Sequence, residues 1–373
     1  MTEDHDVIVV GGGQAGLAVG YLLARQGRRF TILEAADAPA AAWRTRWDSL
    51  KLFTPVRYDS LPGRAFPGDL DAYPGRDDVV AYLTDYAHDF ELPVELDSAV
   101  RAVRRGDRGY VVELDDRSYE ADHVVVATGP FQVPRVPAVA ERLEPGIVQF
   151  HSSAYQTPGD VPPGRVLVVG GGNTGFQIAE ELSRTHEVHL SIGARQTPLP
   201  QRIAGRDLFR YLEATGVMGT TASSRIGRRL QARETLIGSS PRAARRRHGV
   251  RLRARTVDVS GPEVTFDDGT RLDASTVVWA TGFGLDHSWI HAPVFDAGGR
   301  LVHERGATAS PGLHFLGLPW QHTRGSALLG WVKHDAEYVA RRITAMRPPQ
   351  GSTRRSSTTR ATRRSRVGPS ATS

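Results

Sequence analysis

The sequence predicts an α/β fold with two similar parallel-sheet units, the second inserted into the first. The prediction rests on two glycine-rich stretches of the same layout, VIVVGGGQAG from residue 7 and VLVVGGGNTG from residue 166. It rests also on two later stretches, VVVATGP and TVVWATGF, each a short apolar run followed by a turn of small residues. Because both features occur twice and in the same order, two related nucleotide-binding units explain them better than ordinary turns do.

The first unit begins with the apolar run Val7–Val10, which is typical of a buried parallel strand. A glycine turn follows, then a helix predicted from about Gln14 to Arg25 and a second strand at Phe30–Leu33. This order is the dinucleotide-binding arrangement of a Rossmann fold, in which phosphates lie at the positive N-terminus of the helix. The residues predicted to surround these phosphates are Gly11, Gly13, Gln14, Ala15 and Gly16.

An acidic residue stands at the end of the second strand of this unit. Glu34 lies about 20 residues after the glycine turn, where a carboxylate accepts hydrogen bonds from ribose hydroxyls. A dinucleotide with a free ribose diol, either NAD or FAD, is therefore expected in the first unit.

The second unit repeats the layout. It has a strand at Val166–Val169, a helix that runs through Leu182 and a further strand at Val188–Ile192. Its predicted phosphate contacts are Gly170, Gly172, Asn173, Thr174 and Gly175. A second dinucleotide is therefore expected at this turn.

The residues that follow the second strand set the expected nucleotide preference of this unit. No acid stands there; the chain has Ser191 and Arg195 instead. Both would bind a 2′-phosphate that a carboxylate would repel, so NADPH is expected rather than NADH. Two alternatives stay open: Arg202 is the phosphate ligand, or Arg195 is an ordinary surface arginine.

The two ATG stretches are interpreted as the places where the chain returns from one unit to the other. Small residues suit such crossings because the backbone passes close to a nucleotide or to the opposite unit. Thr128 and Gly129 are assigned to the first nucleotide, and Thr281 and Gly282 to the second. The predicted divisions are residues 1–155 with 276–343, then 156–275, with linkers at YQTPGDVPPG and near TGFGLD, and a basic tail at 344–373.

Composition excludes several function classes. The chain has 373 residues, enough for two domains, and no cysteine, so disulfide frameworks and thiolate chemistry are excluded. The histidines are scattered, so no metal site is predicted. No apolar run is long enough to cross a membrane and no signal peptide is evident, so a cytoplasmic location is expected. The net charge is +6, but no aromatic residues interleave with the arginines between Arg225 and Arg255, so no nucleic-acid partner is expected.

Four further stretches of the chain are distinctive: AAWRTRWDSLKLFTP, YPGRDDVVAYLTDYA, GARQTPLPQRIAGRDLF and GLHFLGLPWQHTRGSALLGWV. Through them the sequence, from about Asp6 to Ile343, resembles the class B flavoprotein monooxygenases, and most closely a bacterial group of CzcO-like NAD(P)/FAD-dependent oxidoreductases. The resemblance implies FAD in the first site and NADPH in the second. The tail after Ile343, rich in Ser, Thr and Arg, lies beyond the resemblance and is expected to be disordered.

The resemblance also implies roles for individual residues. Trp43 belongs to the segment that passes along the flavin ring, and Thr54 stands in the stretch where other members have an asparagine near flavin C4a. Gly317 and Gln321 lie in the C-terminal segment that closes over the flavin. His151 keeps its spacing to the following aromatic residue of the family motif, and either supports the hinge between units or is a plain interdomain histidine. Thr54, His151 and Gln321 are the candidate catalytic residues.

A helix is expected to begin near Ser326 and to run through Tyr338, with its positive end under the flavin ring, where it would stabilise negative charge. The aromatic shell of the ring is expected to come from Trp43, Trp47, Phe53 and Trp331.

The activity implied by the resemblance is a monooxygenation. NADPH reduces FAD, O2 gives a C4a-(hydro)peroxyflavin, and one oxygen passes to a small organic substrate. Two alternatives stay open. One is a flavoprotein reductase or oxidase that inserts no oxygen, and the other is a redox- or NADPH-sensing flavoprotein linked to cation transport.

Overall fold

The computed structural model describes residues 2–107, 109–232 and 234–346, so most of the tail predicted to be disordered lies outside the described residues. The α-helices of the described residues are Gln14–Arg25, Ala41–Arg44, Arg76–Asp89, Asn173–Leu182, Leu208–Ala214, Arg225–Gln231, Pro241–Arg247 and Val332–Ala345. Within these described ranges, no helix combines the length and the apolar composition that a membrane crossing requires.

The first sheet is built around Thr2–Val10, which pairs in parallel with Phe30–Leu33 on one side and with Ser118–Val126 on the other. Leu313–Phe315 adds a parallel strand beyond residues 124–126. The other strands of this sheet are Val94–Glu95, Ala102–Arg105, Tyr110–Glu113, Ile290–His291, His303–Glu304 and Ala307–Thr308. Within the parallel part of this sheet, the strand before the first glycine turn lies at the centre.

The second sheet has the strand order Arg251–Arg253, Glu187–Ser191, Arg165–Val169, Thr276–Trp279 and Val148–His151, and every pairing is parallel. Here too the strand before the glycine turn lies at the centre, flanked by the strand after the helix and by the strand before the ATG stretch. The parallel core of the first sheet has the same order. The duplication predicted from the sequence is therefore present in the strand order.

Shorter strands complete the fold. An antiparallel sheet is formed by Thr256–Ser260, Glu263–Phe266 and Arg271–Asp273. Two-stranded pairs join Gln196–Leu199 with Glu234–Ile237, Arg202–Ile203 with Arg206–Asp207, and Val133–Pro134 with Phe283–Gly284.

Each sheet is covered on both faces by apolar packing. The helices Gln14–Arg25, Arg76–Asp89 and Val332–Ala345 share one buried cluster with the first sheet. The second sheet packs against Asn173–Leu182 on one face and against the antiparallel sheet on the other. Burial of the sheet on both faces explains why its central strands are continuous apolar runs.

Sheet membership differs from the predicted division of the chain. Val148–His151 and Thr276–Trp279 were expected to belong to the first unit, but both pair within the second sheet. The chain therefore passes from the first sheet to the second in the segment after Val126. The stretch YQTPGDVPPG, predicted as the linker, comes after that passage. Val148–His151 escaped prediction because it is an edge strand in which polar and apolar residues alternate, which gives no apolar run.

The C-terminal helix begins at Val332, six residues later than the sequence predicts. Residues 324–331 form turns. Within this segment, Gly330 passes so close to residue 58 that a Cβ atom there would overlap the Tyr58 carbonyl oxygen. The expectation that a helix N-terminus at Ser326 stabilises charge on the flavin is therefore wrong. The helix extends to Ala345, slightly into the range assigned to the tail.

Candidate functional site

The first glycine turn is shaped by contacts that only glycine permits. Gly11 has φ +110°, and a Cβ atom there would lie 2.7 Å from the carbonyl oxygen of Ala127. A Cβ atom at Gly16 would overlap the Gly11 carbonyl oxygen. At Gly13 no atom would lie within 4 Å, so this glycine faces open space at the start of the helix. That space is where the fold presents backbone N–H groups to a phosphate.

The second turn repeats these contacts. Gly170 has φ +132°, and a Cβ atom there would overlap the Ala280 carbonyl oxygen. A Cβ atom at Gly175 would overlap the carbonyl oxygen of Gly170. Gly172 is the residue before the helix, as Gly13 is in the first turn. The two turns are therefore built alike in three dimensions and not only in sequence.

One of the predicted contacts at the second turn, Asn173, has other partners for its side chain. The Asn173 amide donates to the Thr235 carbonyl at 3.1 Å and accepts from the Ile237 backbone N–H at 2.9 Å. Its side-chain oxygen and one amide hydrogen thus hold the strand Glu234–Ile237. Thr174 is half-buried in the first turn of the helix.

Glu34 lies against the first glycine turn, as the sequence predicts. One carboxylate oxygen accepts from the Gly12 N–H at 2.7 Å and the other from the Ala36 N–H at 3.1 Å. The carboxylate is half-buried and retains further acceptor positions. This geometry suits the two hydroxyl donors of a ribose diol.

Three separate segments meet at the start of the first helix. The indole N–H of Trp43 donates to the Gln14 side-chain oxygen at 3.0 Å. A Cβ atom at Gly317 would lie 2.9 Å from the Cβ of Ala15, so the C-terminal segment closes on the same helix end. The structure therefore brings together the predicted FAD contacts from residues 14–15, 43 and 317.

The two crossing segments are joined to each other. Gln132 donates to the Thr128 hydroxyl at 2.9 Å and to the Gly129 carbonyl at 2.8 Å, and it accepts from the Asp286 N–H at 2.7 Å. Across the same junction, the Thr281 hydroxyl donates to the Arg135 carbonyl. The sequence analysis missed Gln132, because nothing local distinguishes it from another polar loop residue.

Arg46 contacts both crossing segments. Its guanidinium lies over the Phe131 ring, 4.4 Å from the centroid, and over the Phe283 ring at 5.2 Å. Burial lowers the pKa of Arg46. The cation therefore connects the first unit to both crossing segments.

His151 is part of this hinge. Its Nε2 donates to the Gly282 carbonyl at 2.9 Å, while Nδ1 accepts from the Ser153 N–H at 3.1 Å. The ring meets Phe283 edge-on, with centroids 4.8 Å apart. Burial lowers the pKa of His151, which favours the neutral ring that this pattern requires. With both nitrogens used, the geometry favours the hinge interpretation of His151 over a catalytic one.

The Ser191 hydroxyl is buried and bonded to protein atoms. Its hydroxyl donates to the Ala254 carbonyl at 2.8 Å and accepts from the Thr256 N–H at 3.0 Å, and the residue is 1% exposed. The hydroxyl instead ties the strand end to the segment that follows Arg251–Arg253. These partners lie more than 60 residues further along the chain, so the sequence alone does not indicate them, and the phosphate role of Ser191 stays a prediction.

Two arginines do reach the end of this strand. Arg195 is exposed just beyond it, and Arg255 donates to the Gly193 carbonyl at 2.6 Å. Arg202 lies elsewhere, donating to the Asp71 carbonyl at 3.3 Å. Arg255 was missed because only the pairing of Arg251–Arg253 with Glu187–Ser191 brings it there.

Buried donors without partners lie near both predicted sites. The Gln196 amide nitrogen has no hydrogen-bond partner within the described part of the chain, and it occupies the place a Cβ atom of Gly171 would take. The Gln321 amide nitrogen is likewise buried and unpaired there, beside Gly306. Because buried donors are normally satisfied, both sites fit a ligand rich in acceptor oxygens, such as a dinucleotide.

The Thr54 and Gln321 side chains are turned toward protein atoms. The Thr54 hydroxyl donates to the Asp59 carboxylate at 2.6 Å. The Gln321 side-chain oxygen accepts from the Leu318 N–H at 3.3 Å. To donate a hydrogen bond to a flavin, each side chain would need a hydrogen that is not already donated. Gln321 has such hydrogens on its unpaired amide nitrogen, whereas the Thr54 hydroxyl hydrogen is donated to Asp59.

The expected aromatic shell is divided in the structure. Trp47 is buried in the core of the second sheet, away from Trp43. Phe53 stacks on Phe209 with centroids 5.9 Å apart, and Trp331 stacks on Tyr58 at 5.3 Å. These four rings, Phe53, Tyr58, Phe209 and Trp331, form an interface cluster between the two units.

A cavity of about 350 Å³ adjoins the interface cluster. It is lined by Trp331 and Met218, and by the polar side chains of Glu213, His322 and Arg305. Arg305 is paired with the buried Asp335 at 2.8 Å, so its charge is largely compensated.

Comparison with known proteins agrees with this architecture. Residues 8–202 match the family described as pyridine nucleotide-disulphide oxidoreductase. The chain is 41% identical over 336 residues to an uncharacterized CzcO-like oxidoreductase of Geobacillus kaustophilus, covering 90% of this chain and 97% of that protein. It is 36% identical over 220 residues to the indole-3-pyruvate monooxygenase YUCCA1 of Oryza sativa, covering 54% of this chain and 51% of that protein.

Among solved structures, the chain is similar to a flavin-containing monooxygenase from Stenotrophomonas maltophilia. The TM-score is 0.77 and the identity 30%, over 92% of this chain and 99% of that one. The disulfide chemistry in the family description is not open to this chain, which has no cysteine. The resemblance predicted from the sequence is confirmed: the chain is an oxidoreductase of the pyridine nucleotide-disulphide oxidoreductase family and groups there with the CzcO-like oxidoreductases.

Proposed function

We propose that this chain is an FAD-containing, NADPH-dependent monooxygenase that transfers one oxygen atom of O2 to a small organic substrate. The observation that carries the proposal is the duplicated glycine turn, in which Gly11 and Gly170 pack in the same way on the carbonyls of Ala127 and Ala280. A chain with two such turns has room for two dinucleotides. The likeness to a solved flavin-containing monooxygenase over nearly its whole length supports the choice of chemistry.

The residues of the first turn would hold FAD. The helix start at Gln14 would take the pyrophosphate, Glu34 would bind the adenosine ribose, and Trp43 would flank the ring. Closure of Gly317 on Ala15 would fix the cofactor from the C-terminal side. When bound, the flavin supplies the redox chemistry, accepting hydride from the nicotinamide and activating O2.

The second turn would hold NADPH. Asn173 and Thr174 begin the helix that would face the pyrophosphate, and Gln196 offers an unpaired amide beside it. The exposed cations Arg195 and Arg255 would bind the 2′-phosphate in place of the ribose carboxylate of the first unit. Arginine suits this task because its planar donors match phosphate oxygens.

The remaining residues would organise the space between the two nucleotides. The hinge formed by Gln132, His151 and Arg46 would hold the units at the distance that hydride transfer requires. The interface cluster would exclude water from the reacting ring. The adjoining cavity, lined by Trp331 and Met218, is the proposed place of the organic substrate.

Isotope labelling tests the proposal. The purified protein, with its bound flavin identified by extraction, is given NADPH and ¹⁸O2 together with a panel of amines, thioethers, ketones and indole acids. Incorporation of one labelled oxygen into a product, with matching NADPH consumption, is expected. Peroxide release equal to NADPH consumption for every compound would contradict oxygen transfer and identify a reductase or oxidase instead.

A further inference from the structure

Thr54 and Asp59 form a buried pair that the proposed function does not use. Asp59 is 0% exposed and Thr54 is 3% exposed. The Thr54 hydroxyl donates to one Asp59 oxygen, Oδ1, at 2.6 Å. The other oxygen, Oδ2, is buried and has no hydrogen-bond partner in the part of the chain that the structure describes.

The surroundings of Asp59 disfavour its ionised form. A buried carboxylate oxygen without a donor is costly, and more so when the group is charged. Burial raises the pKa of Asp59 to about 7; the Thr54 hydrogen bond acts against the rise and the negative charge of Asp207 adds to it. Both charge states of Asp59 are therefore populated near neutral pH.

Among the described residues, no side chain other than Thr54 hydrogen-bonds to the Asp59 carboxylate. The Tyr82 hydroxyl donates to the Arg64 carbonyl at 2.8 Å, and Lys333 reaches the carbonyl of Ser60 at 3.5 Å. Asp207 is itself an acceptor, bonded to the Tyr73 hydroxyl at 2.7 Å. Thr54 is thus the side chain that responds to the charge of Asp59.

The backbone around the pair is tightly packed. A Cβ atom at Gly330 would lie 3.0 Å from the Asp59 Cα and would overlap the Tyr58 carbonyl oxygen. On the other side, Phe53 is held by its stacking on Phe209. The pair therefore has little freedom to separate, and a change in protonation has to be met by a change in hydrogen bonding.

A threonine hydroxyl carries a single hydrogen. When Asp59 is ionised, both of its oxygens are acceptors, so the hydrogen between the two residues must be that of Thr54. When Asp59 is protonated, its own O–H can donate to the Thr54 oxygen. The hydrogen of Thr54 is then free for another acceptor.

We propose that Asp59 is a positioning residue whose charge state decides whether Thr54 donates its hydrogen to Asp59 or to the flavin ring. The proposal rests on the proposed function, since it needs FAD in the first site, and it takes the Thr54 segment to lie beside the flavin as the resemblance to the class B flavoprotein monooxygenases implies. No atom is transferred to the substrate in this step: one proton binds to Asp59 from solvent, and one hydrogen bond changes its acceptor. Protonation of Asp59 would thereby switch on the donor that stabilises negative charge on the reduced ring.

The test uses the flavin-loaded protein and its absorption spectrum. The spectrum of the wild type is expected to titrate with a midpoint near neutral pH, because the Asp59 protonated fraction falls from about nine-tenths to about one-tenth over about two pH units. Asp59→Asn, whose amide donates permanently to Thr54, is expected to hold the low-pH spectrum throughout. Thr54→Val is expected to remove the titration, whereas Thr54→Ser, which keeps a hydroxyl, retains it.

A second measurement does not depend on the flavin signal. The unfolding free energy of the wild type relative to Asp59→Asn is followed from acid to neutral pH. Because the pKa of Asp59 is raised in the folded state, the wild type is expected to have the larger unfolding free energy relative to Asp59→Asn at low pH. This difference is lost as the pH rises through the folded-state pKa of about 7. A relative stability that does not change with pH would show that Asp59 does not titrate and would overturn the proposal.

The outcomes separate the two proposals. If the protein holds flavin but Asp59→Asn or Thr54→Val keeps the wild-type titration of the spectrum, the switch is wrong while the monooxygenase assignment stands. If the protein holds no flavin, the proposed function falls and the switch with it, even where the stability measurement shows Asp59 titrating.

Discussion

Gly11 packs so closely against Ala127 that a Cβ atom at Gly11 would lie 2.7 Å from the Ala127 carbonyl oxygen. Gly170 and Ala280 have the same relationship in the second unit. In each unit the glycine turn packs against the ATG stretch that follows a neighbouring strand of the same sheet. The N-terminus of the helix after the turn is then open to a ligand. This repeated contact makes the two sites separately testable.

Substitution of each first glycine is expected to abolish one nucleotide site and leave the other. Gly11→Ala should lose FAD, and Gly170→Ala should keep FAD but lose NADPH binding. Each places a Cβ on a carbonyl oxygen at positive φ, so each should lower the unfolding free energy by about 1–3 kcal/mol. Flavin content and the quenching of flavin or NADPH fluorescence give the readout.

Gly205→Ala is the matched control. It also has positive φ, at +76°, but no atom would lie within 4 Å of its Cβ. Retention of both nucleotides is expected. Equal loss of both nucleotides in Gly11→Ala and Gly170→Ala would mean that the variants fail to fold, not that the sites are independent.

Removal of the cations beyond Glu187–Ser191 is expected to change nucleotide preference. Arg195→Ala and Arg255→Ala should each raise the KM for NADPH by roughly tenfold with little effect on NADH, because each removes a charge-assisted hydrogen bond to the 2′-phosphate. Arg247→Ala, exposed on the helix Pro241–Arg247, should change neither. A parallel rise for both nucleotides would argue against a 2′-phosphate contact.

Loss of the His151 bond across the hinge is expected to slow hydride transfer. His151→Phe cannot donate to the Gly282 carbonyl, so the units should be held less well and the rate of flavin reduction by NADPH should fall. His151→Gln keeps a donor and should recover part of the rate. Because burial already lowers the pKa of His151, its titration should not appear in the rate above neutral pH. Unchanged reduction in His151→Phe would remove the hinge role.

Acid is expected to destabilise the first sheet through two buried histidines. His123 and His314 stack with centroids 6.0 Å apart, and burial lowers their pKa values to about 4 and about 3. Both are neutral when folded, so their stabilising contribution is present above the unfolded pKa of about 6.5 and falls with the pH below it. Between the unfolded and the folded pKa, each histidine should lower the unfolding free energy by about 1.4 kcal/mol for each unit by which the pH decreases.

His314→Leu should therefore flatten the decline of the unfolding free energy between neutral and acid pH. His88, 87% exposed on the surface, supplies the control: His88→Leu should leave the decline unchanged. Chemical denaturation at a series of pH values measures both. A wild-type slope in His314→Leu would show that this histidine does not drive acid unfolding.

The sequence alone determined the parts of this protein that depend on local patterning. The helix Gln14–Arg25, the strand Phe30–Leu33 and the position of Glu34 against the glycine turn are as predicted. Apolar runs, obligatory glycines and a carboxylate at a fixed interval act within a few residues or one unit, so they can be recognised without the fold.

Only the tertiary structure decided which polar side chains are free. Ser191 bonds to Ala254 and Thr256, Asn173 holds a strand some 60 residues away, and the Thr54 hydroxyl belongs to Asp59. It also brought Arg255 to the end of Glu187–Ser191 and moved the last helix start to Val332. A hydrogen bond or a close backbone contact depends on a partner brought by the fold, and no pattern of neighbouring residues records that partner.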